Sequence, residues 1–394
     1  MSLLPVSEAQ ARLFALAQPL AVEEVSAAFC AGRWLAEDRA ARRDQPWADL
    51  SAMDGYAVRA AEWPGPWRVT GISSAGGDLP APLAQGAACR IFTGAPLPDG
   101  ADAILIQENA ERNGDSLRGV DKPVTPRLHV RAAASDFHAG EALLAAGSPL
   151  NAAKVALAVL AGYATLPVRK RPAIAILSTG NELVAPGEPV PPGRLPSSNA
   201  PMLAALLAIL PCDIVDLGIV PDDLDAMTGA FVKAGKADVI ISTGGASVGD
   251  HDLVRPAFTA AGGTLDFWKI RMRPGKPLMA GKLGPSVFLG LPGNPVSAFV
   301  TAMLFLLPLV RHMGGAACPL PATTDARLAA PLPRTGDRDD YLRAFQAEEG
   351  IVSVTSQDSA AAAAMARADC LIWRPAHSQA AEAGDFVKIL PFPR

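Results

Sequence analysis

Two stretches of the chain have the composition of an anion-binding turn that follows a buried strand. In the first, an apolar run at 239–241 breaks into the letters STGG, continues through a turn of small residues, and ends at Asp250 and Asp252. Adjacent glycines let a backbone turn with positive φ, so its N–H groups can approach an oxyanion or a phosphate closely. Glycine-rich turns between a strand and a helix also occur for packing reasons, so this stretch alone is compatible with either role. The residues that would form the cradle are Thr243, Gly244, Gly245, Ser247 and Gly249.

A second copy of this pattern strengthens the ligand-binding interpretation. The apolar run at 173–177 breaks into Ser-Thr-Gly-Asn-Glu, which places Thr179, Gly180 and Glu182 after another buried strand. A third strand, predicted over 213–220, is followed by Asp222 and Asp223. In a doubly wound sheet the carboxyl ends of parallel strands lie on one edge, and ligands bind there. The sequence therefore predicts one cleft lined by both turns, and the carboxylates gathered beside it are Glu182, Asp223, Asp250 and Asp252.

Between Trp268 and Leu283 the chain carries positive charges and no acidic residue. The first three cations recur at period two, so in a strand they would share one face. Prolines on both sides of Lys276 favour a rigid loop at that position. Uncompensated positive charge suggests an anionic ligand, and a solvated basic edge is the alternative. The five cations are Lys269, Arg271, Arg273, Lys276 and Lys282.

A further strand-turn-helix junction follows at residues 287–297. The apolar run Val-Phe-Leu gives way to GLPGNPVS, which contains Pro292, Asn294 and Ser297, and an apolar helix follows. The free N–H groups at a helix N-terminus can hold an anion. We therefore expect a second anion-binding element at the same edge of the sheet, with Ser297 in the first turns of its helix.

The remaining patterns divide the chain into domains. Residues 170–318 alternate strand and helix, which favours a parallel sheet covered on both faces. Short β-like runs occupy about 60–140, with a hairpin signal at Asn113-Gly114, and helices are predicted over about 7–17, 22–36 and 151–163. The β-rich segment would then be inserted into a discontinuous helical domain. The predicted domains are 1–42 with 140–168, 43–139, 169–318 and 319–394.

Local capping and turn signals give more detailed expectations. Ser7 with Gln10 has the spacing of a capping box, and Asn151 is a helix N-cap candidate. A helix is predicted to follow the Asp222-Asp223 pair, and we assign its N-cap to Asp222. The Asp54-Gly55 pair is typical of a turn in which the aspartate bonds its own backbone and the glycine has positive φ.

Composition limits the class of protein. Half of the 394 residues are apolar and the net charge is −4, so nothing favours nucleic acid binding. The apolar stretch 296–310 is too short to span a bilayer and is interpreted as a buried core helix, and no signal peptide is visible. Five widely spaced cysteines without a C-x-x-C pair favour a reducing compartment. We expect a cytoplasmic enzyme.

Six segments together carry a resemblance to a known family. They are SAMDGYAV at 51, IFTGAPLPDGAD at 91, LSTGNEL at 177, STGGASVGDHD at 242, RPGKPLMAGKL at 273 and GLPGNPVSA at 290. In this order they resemble the molybdopterin molybdenumtransferase family of molybdenum cofactor biosynthesis, known as MoeA in bacteria and similar to the C-terminal half of animal gephyrin. The resemblance implies a multidomain α/β plus β fold: a doubly wound α/β molybdopterin-binding domain, the discontinuous helical domain, the inserted β-rich domain and a C-terminal β-barrel-like domain.

The resemblance also implies an activity and its participants. The reaction is the insertion of molybdate into adenylylated molybdopterin with release of AMP, dependent on Mg²⁺ and carried out by a homodimer. The upstream adenylyltransferase and molybdoenzyme acceptors are implied partners, and no nucleic acid or membrane is involved. The implied active-cleft residues are Asp54, Thr93, Glu182, Asp223 and Asp252, of which Glu182, Asp223 and Asp252 are the candidate metal ligands. The candidates for molybdate are Arg273, Lys276 and Ser297, with Arg343 as a further cation from the C-terminal domain.

The sequence departs from the family pattern at several positions. Alanines fill 360–364, where family members often have a Gly/Ser-rich loop, so a hydroxyl contact from that loop is missing or has moved to Ser359. Arg273 stands where a lysine is usual, which replaces a point charge by a planar fork. Two other functions stay open: an adenylyltransferase acting one step earlier, and a non-catalytic scaffold like gephyrin.

Overall fold

The computed structural model describes residues 3–245 and 253–393. Up to residue 169 it contains short strands and two α-helices, with single 3₁₀ turns at Ala27–Phe29, Ala60–Glu62 and Gln107–Asn109. The regular elements are α1 (Val6–Leu16), β1 (Val22–Ser26), β2 (Arg39–Ala40), β3 (Leu50–Ser51), β4 (Gly55–Val58), β5 (Trp67–Ser73), β6 (Ala87–Ile91), β7 (Ala103–Ile106), β8 (Ala110–Asn113), β9 (Ser116–Gly119), β10 (Val130–Arg131), β11 (Ala142–Leu144), α2 (Ala152–Leu160) and β12 (Thr165–Arg169).

The inserted segment folds around a six-stranded sheet. Its strand order is β7-β4-β6-β5-β9-β8, and Trp67 is almost fully buried in its core. The hairpin predicted at Asn113-Gly114 is confirmed, because β8 and β9 pair antiparallel around it and Gly114 has a φ of 58°. The β-rich character predicted for this segment is therefore confirmed.

The segments before and after this insertion meet in one core. β1 pairs antiparallel with β12, β2 pairs with β11, and Leu35, Phe137 and Leu166 share a buried cluster. The helix predicted over 22–36 is wrong, since Val22–Ser26 is a strand whose partner lies about 140 residues further along the chain. That pairing is a long-range contact, which local propensity does not report. The discontinuous unit is therefore a mixture of strands and the helix α2, whose N-cap Asn151 is confirmed by its bond from the Lys154 N–H.

Helix α1 packs elsewhere than on this unit. Val6, Ala9 and Leu13 are buried in the core of the α/β domain. The predicted capping box is wrong: Pro5 occupies the N-cap position, and Gln10 lies on the buried face, where its side chain donates to the Leu304 carbonyl at 2.8 Å. Within the predicted segment 1–42, the first helix and the residues from 22 onward thus belong to different cores.

Residues 173–313 form the α/β domain. Its elements are β13 (Ala173–Thr179), β14 (Leu183–Val184), β15 (Leu195–Pro196), α3 (Asn199–Leu207), β16 (Asp213–Val220), α4 (Leu224–Ala234), β17 (Val239–Thr243), α5 (Val254–Ala260), β18 (Thr264–Trp268), β19 (Met272–Arg273), β20 (Met279–Leu283), β21 (Ser286–Leu291), α6 (Pro295–Thr301), a π-helical turn (Ala302–Leu306) and α7 (Leu307–Met313).

The central sheet of this domain has the order β16-β13-β17-β21-β20-β18. The first four strands are parallel, β20 is antiparallel to β21, and β18 is antiparallel to β20. Successive residues of β13 enter opposite cores, with Ile174 and Ile176 on one face and Ala175 and Leu177 on the other. The sheet is therefore covered on both faces, as the alternation of strand and helix predicted.

The long apolar helix of this domain is a core helix. From Pro295 to Met313 it has 19 residues and is long and apolar enough to cross a membrane, but 83% of its apolar window is buried inside the protein. The prediction of a buried core helix is confirmed. It packs with α1 and α3 on one face of the sheet.

The C-terminal residues form a second small β unit. Its elements are β22 (Thr324–Arg327), β23 (Asp339–Ala347), β24 (Gly350–Ser353), α8 (Ala362–Ala366), β25 (Cys370–Arg374) and β26 (Phe386–Pro391). The sheet order is β19-β23-β25-β26-β22, so the two-residue strand β19 joins it to the α/β domain. The segment 269–273, whose alternate cations would share one face in a strand, forms a strand only at Met272–Arg273. Ile270 and Met272, which alternate with the cations, are buried.

Candidate functional site

Three parallel strands end side by side at one edge of the α/β sheet. Ser178 of β13 is paired with Thr243 of β17, which in turn is paired with Leu291 of β21. The two Ser-Thr-Gly turns and the GLPGNP turn therefore leave the sheet at the same level. This is the carboxyl edge, where open α/β sheets bind their ligands.

The backbones of these turns touch one another. A Cβ atom at Gly244 would lie 2.5 Å from the Thr179 carbonyl oxygen, and one at Gly293 would lie 3.5 Å from the Gly244 Cα. Gly244 and Gly245 have φ angles of 96° and 60°, so the predicted positive φ is confirmed. The Thr179 hydroxyl donates to the Thr243 carbonyl at 3.3 Å, which ties the first turn to the second. The continuation of this turn lies outside the described residues and includes Ser247, Gly249, Asp250 and Asp252.

Glu182 and Asp223 lie on two neighbouring exposed turns. Asn181 and Asp222 join the turns by a reciprocal pair of bonds: the Asn181 N–H donates to the Asp222 carboxylate at 3.0 Å, and the Asp222 N–H donates to the Asn181 side chain at 3.1 Å. The Glu182 carboxylate folds back over Gly180, in the space that a Cβ at this position would occupy. The two carboxylates thus flank the strand edge but are exposed.

The helix cap assigned to Asp222 is wrong. Asp223 is the N-cap of α4, and its Oδ1 accepts from the Ala226 N–H at 2.8 Å. The helix begins one residue later than predicted because the Asp222 carboxylate already accepts from Asn181. Asp223 therefore has a structural role in addition to any role in the cleft.

Two amide side chains hold the GLPGNP turn, one within the α/β domain and one to the C-terminal domain. Asn199, the first residue of α3, donates to the Gly293 carbonyl at 2.7 Å, and Asn294 donates to the Ser359 hydroxyl at 2.9 Å. The Ser359 carbonyl accepts from the Val296 N–H at 3.3 Å, so it occupies part of the α6 N-terminus that was expected to face an anion. Pro292 and Ser297 are buried beside this junction. Asn199 was missed as a site residue, and its only sequence signal was its place at the start of a helix.

The cations differ in how they are held. Arg273 is paired with Asp340 of β23 at 2.8 Å, so its charge is compensated and the prediction of an uncompensated cation is wrong there. Asp340 is buried and lies 67 residues further along the chain, beyond any local charge pattern. Lys276 is exposed in the loop that follows.

Arg343 does not present its charge to the cleft. Its side chain is fully buried and bonds to the Gln357 side chain and to the carbonyls of Ser356 and Asp358. Burial lowers the pKa of this guanidinium from its ordinary value. The expectation of a ligand-binding cation is therefore at odds with the structure, in which Arg343 shapes the loop that carries Ser359.

Asp54 and Thr93 form a compact pair in the inserted domain. Asp54 Oδ1 accepts from the Thr93 N–H at 2.7 Å and from the Thr93 hydroxyl at 2.8 Å. The bond from the Thr93 N–H, then that from the Thr93 hydroxyl, and the nearby Arg90 charge hold the pKa of the partly exposed Asp54 carboxyl below its ordinary value. The predicted self-bonded turn is wrong, because Asp54 bonds Thr93, and Gly55 begins β4 where any Cβ would collide with the Leu105 carbonyl oxygen.

Comparison with known proteins agrees with this layout. Three family models match in succession: the MoeA N-terminal region (domain I and II) at 4–162, a probable molybdopterin binding domain at 175–312 and the MoeA C-terminal region (domain IV) at 325–392. A doubly wound domain of the molybdopterin-binding kind, flanked by these two regions, defines the class of protein.

Individual relatives extend the match over the full length. The chain is 33% identical to the molybdopterin molybdenumtransferase of Haemophilus influenzae over 383 aligned residues, and this alignment covers 95% of each chain. It is 30% identical to that of Staphylococcus aureus, over 98% of this chain and 95% of the relative. The crystal structure of the molybdopterin biosynthesis MoeA protein of Pyrococcus horikosii superposes with a TM-score of 0.84 at 28% identity and covers all of both chains. The chain belongs to the MoeA family.

Proposed function

We propose that this chain is a molybdopterin molybdenumtransferase that inserts molybdate into adenylylated molybdopterin and releases AMP. The observation that carries the proposal is the strand edge at which Thr179, Gly244 and Gly293 meet backbone to backbone. The Gly244 N–H donates to the Leu291 carbonyl at 3.3 Å, so the N–H groups proposed for a phosphate-linked substrate are others of these turns. The close approach of the turns leaves no room for larger residues. The relatives named above supply the identity of the substrate.

The charges around this edge fit anionic substrates. Lys276 is exposed beside the sheet and is the stronger candidate for molybdate, since Arg273 is already paired with Asp340. Ser359 lies against Asn294, so its hydroxyl is the candidate that replaces the Gly/Ser-rich loop of the family. Molybdate would then bind between the α/β domain and the C-terminal domain.

Mg²⁺ is the proposed metal, and the residues present fit it in kind. Glu182 and Asp223 offer carboxylate oxygens on adjoining exposed turns, and the sequence adds Asp252; Mg²⁺ takes oxygen ligands and commonly one or two carboxylates plus substrate phosphates. Among residues 3–245 and 253–393 no three acidic, histidine or cysteine side chains converge into a preformed metal centre. When bound, the ion would polarise the phosphoryl group whose bond to AMP is broken.

Asp54 would act from the inserted domain. Its carboxylate is ionised at neutral pH and is fixed by two hydrogen bonds from Thr93. Both residues of this pair belong to the inserted domain. We propose that the functional unit is a homodimer in which Asp54 and Thr93 of one protomer face the strand edge of its partner. A cytoplasmic location, and exchange of substrate and product with an adenylyltransferase and with molybdoenzymes, belong to the same proposal.

The test is an AMP-release assay with purified protein, adenylylated molybdopterin, molybdate and Mg²⁺. Glu182→Gln should reduce Mg²⁺-dependent release by at least tenfold, as expected for loss of a metal ligand, whereas the exposed Glu8→Gln on α1 should not. Lys276→Met should raise the molybdate concentration needed for half-maximal release, whereas Lys236→Met, placed before β17 at the amino edge of the sheet, should not. Wild-type protein that releases no AMP would contradict the proposed activity.

The shared cleft has its own test. Asp54→Asn and Glu182→Gln chains are each expected to be inactive as homodimers. In a heterodimer isolated by two different tags, one cleft collects both changes and the other collects none, so activity should recover to about half of wild type. Heterodimers as inactive as either parent would place the whole site within one chain.

A further inference from the structure

Arg90 closes a ring of hydrogen bonds around the Asp54 peptide. Its Nη1 donates to the Gly55 carbonyl at 2.9 Å and its Nη2 donates to the Gln107 side-chain oxygen at 2.9 Å. The Gln107 N–H in turn donates to the Asp54 carbonyl at 3.1 Å. The carbonyls of Asp54 and Gly55 are thus held from β6 on one side and from the turn after β7 on the other.

The Arg90 side chain itself contacts two aromatic rings. Its guanidinium carbon lies 5.1 Å from the centre of the Tyr56 ring and 4.7 Å from that of the Phe92 ring. Tyr56 is the cross-strand partner of Arg90 in the β4–β6 pair, which fixes the first of these contacts. A guanidinium packed against aromatic rings keeps its charge while losing freedom of movement.

We propose that Arg90 is a positioning residue for Asp54, which orients the carboxylate toward the substrate by clamping the peptide after it. The proposal rests on the proposed function, since it concerns the same cleft. Two bonds from Thr93 fix Oδ1, the ring through Arg90 and Gln107 fixes the backbone, and Oδ2 is left for a ligand. Because the carboxylate is fixed through Oδ1 and through its backbone, it loses little further conformational entropy when substrate binds.

The positive charge of Arg90 adds a second effect. It is one of the causes that hold the Asp54 pKa down, after the two bonds from Thr93. Among the described residues Glu108 is a further charged group beside this network, and its carboxylate accepts from the Gln107 amide at 3.3 Å. Removal of the Arg90 charge should therefore raise the Asp54 pKa, and a lysine should restore part of the field without restoring the clamp.

The experiment measures titration and turnover separately. The Asp54 carboxyl is followed by ¹³C NMR in labelled protein and assigned by its absence in Asp54→Asn. We expect Arg90→Met to raise the Asp54 pKa and to lower kcat for AMP release by about 10- to 100-fold with little change in KM, the size expected for a misplaced group. Arg90→Lys should keep the lower pKa in part and still lose kcat. Arg118→Met, exposed on β9 of the same sheet, is the control and should change neither quantity.

The outcomes separate this proposal from the proposed function. An unchanged Asp54 pKa and unchanged kcat in Arg90→Met would overturn the role of Arg90 while wild-type AMP release stands. Absence of AMP release in wild type would overturn the function, whereas the titration would still be readable. Should Arg90→Met fail to fold, Gln107→Ala removes one bond of the ring and should lower kcat to a smaller extent; full activity in that variant would contradict the clamp.

Discussion

Asp54 in the inserted domain and Glu182 and Asp223 at the α/β edge are carboxylates proposed for one cleft, but the protein holds them differently. Asp54 accepts two bonds from Thr93, and its peptide is held on both sides. Glu182 is exposed and lies over a glycine, and Asp223 uses one oxygen to cap a helix. The inserted domain thus preorganises its carboxylate through side chains, whereas the α/β edge preorganises its backbone and leaves its carboxylates to be ordered by a ligand or a metal.

Strand geometry explains this difference. β4 and β6 are antiparallel, so side chains such as Tyr56 and Arg90 stand directly opposite each other and can build a cross-strand network. β13, β17 and β21 are parallel and end together, so the turns that leave them meet through main-chain atoms. Function at a parallel edge is therefore concentrated in N–H groups and glycines, and its charged side chains lie further out.

The largest effects should come from one glycine in each region that packs directly against a backbone carbonyl. Gly55→Ala would drive a Cβ into the Leu105 carbonyl, and Gly244→Ala would meet the Thr179 carbonyl at 2.5 Å with the added strain of positive φ. We expect each to lower the free energy of unfolding by about 3 kcal/mol. Amide hydrogen-exchange rates in β4 report the stability of the inserted domain, and those in β17 report the stability of the α/β domain.

Gly229 supplies the control for both changes. It lies inside α4, a Cβ added there would have no heavy atom within 4 Å, and its φ is not positive. Gly229→Ala should stabilise the helix by about 0.5–1 kcal/mol. If Gly244→Ala were as harmless as Gly229→Ala, the close backbone packing of the α/β edge would be disproved and the comparison between the two regions would fail.

A smaller effect should separate the two roles of Asp223. Asp223→Ala removes the cap of α4 and should cost about 1 kcal/mol of stability, whereas Asp223→Asn keeps an oxygen for the Ala226 N–H and should cost little. Both variants remove the negative charge from the cleft, so both should reduce Mg²⁺-dependent AMP release. Urea unfolding combined with the release assay makes the distinction, and full activity in Asp223→Asn would leave this residue with its structural role alone.

The sequence predicted the frame of the site better than its contacts. The strands of the α/β sheet were predictable because buried parallel strands are continuous apolar runs, and their glycine turns follow directly. Contacts between distant segments were not predictable: Thr93 reaches Asp54 across 39 residues and Asp340 reaches Arg273 across 67. β1 was wrongly predicted to be a helix for the same reason: its strand conformation depends on pairing with β12, which its local sequence does not indicate.

The smallest predicted effect concerns the pH dependence of the Asp54–Thr93 pair. Because the folded pKa of Asp54 lies below its unfolded value, the pair stabilises the protein above the unfolded pKa, and this contribution is lost as pH falls through the folded pKa. Thr93→Val removes the hydroxyl bond and keeps the backbone N–H, so it should be less stable than wild type at neutral pH by an amount that shrinks in acid. Thr93→Ser keeps the hydroxyl and should follow wild type.

The same Thr93→Val change in an Asp54→Asn background should show no such pH dependence, because no carboxylate remains to titrate. The measurement is the free energy of unfolding of each variant across this pH range. If the Thr93→Val loss of stability were equal at all pH values, or kept its pH dependence in the Asp54→Asn background, Thr93 would not act through the Asp54 carboxylate. The carboxylate of the inserted domain would then be no more preorganised than those of the α/β edge.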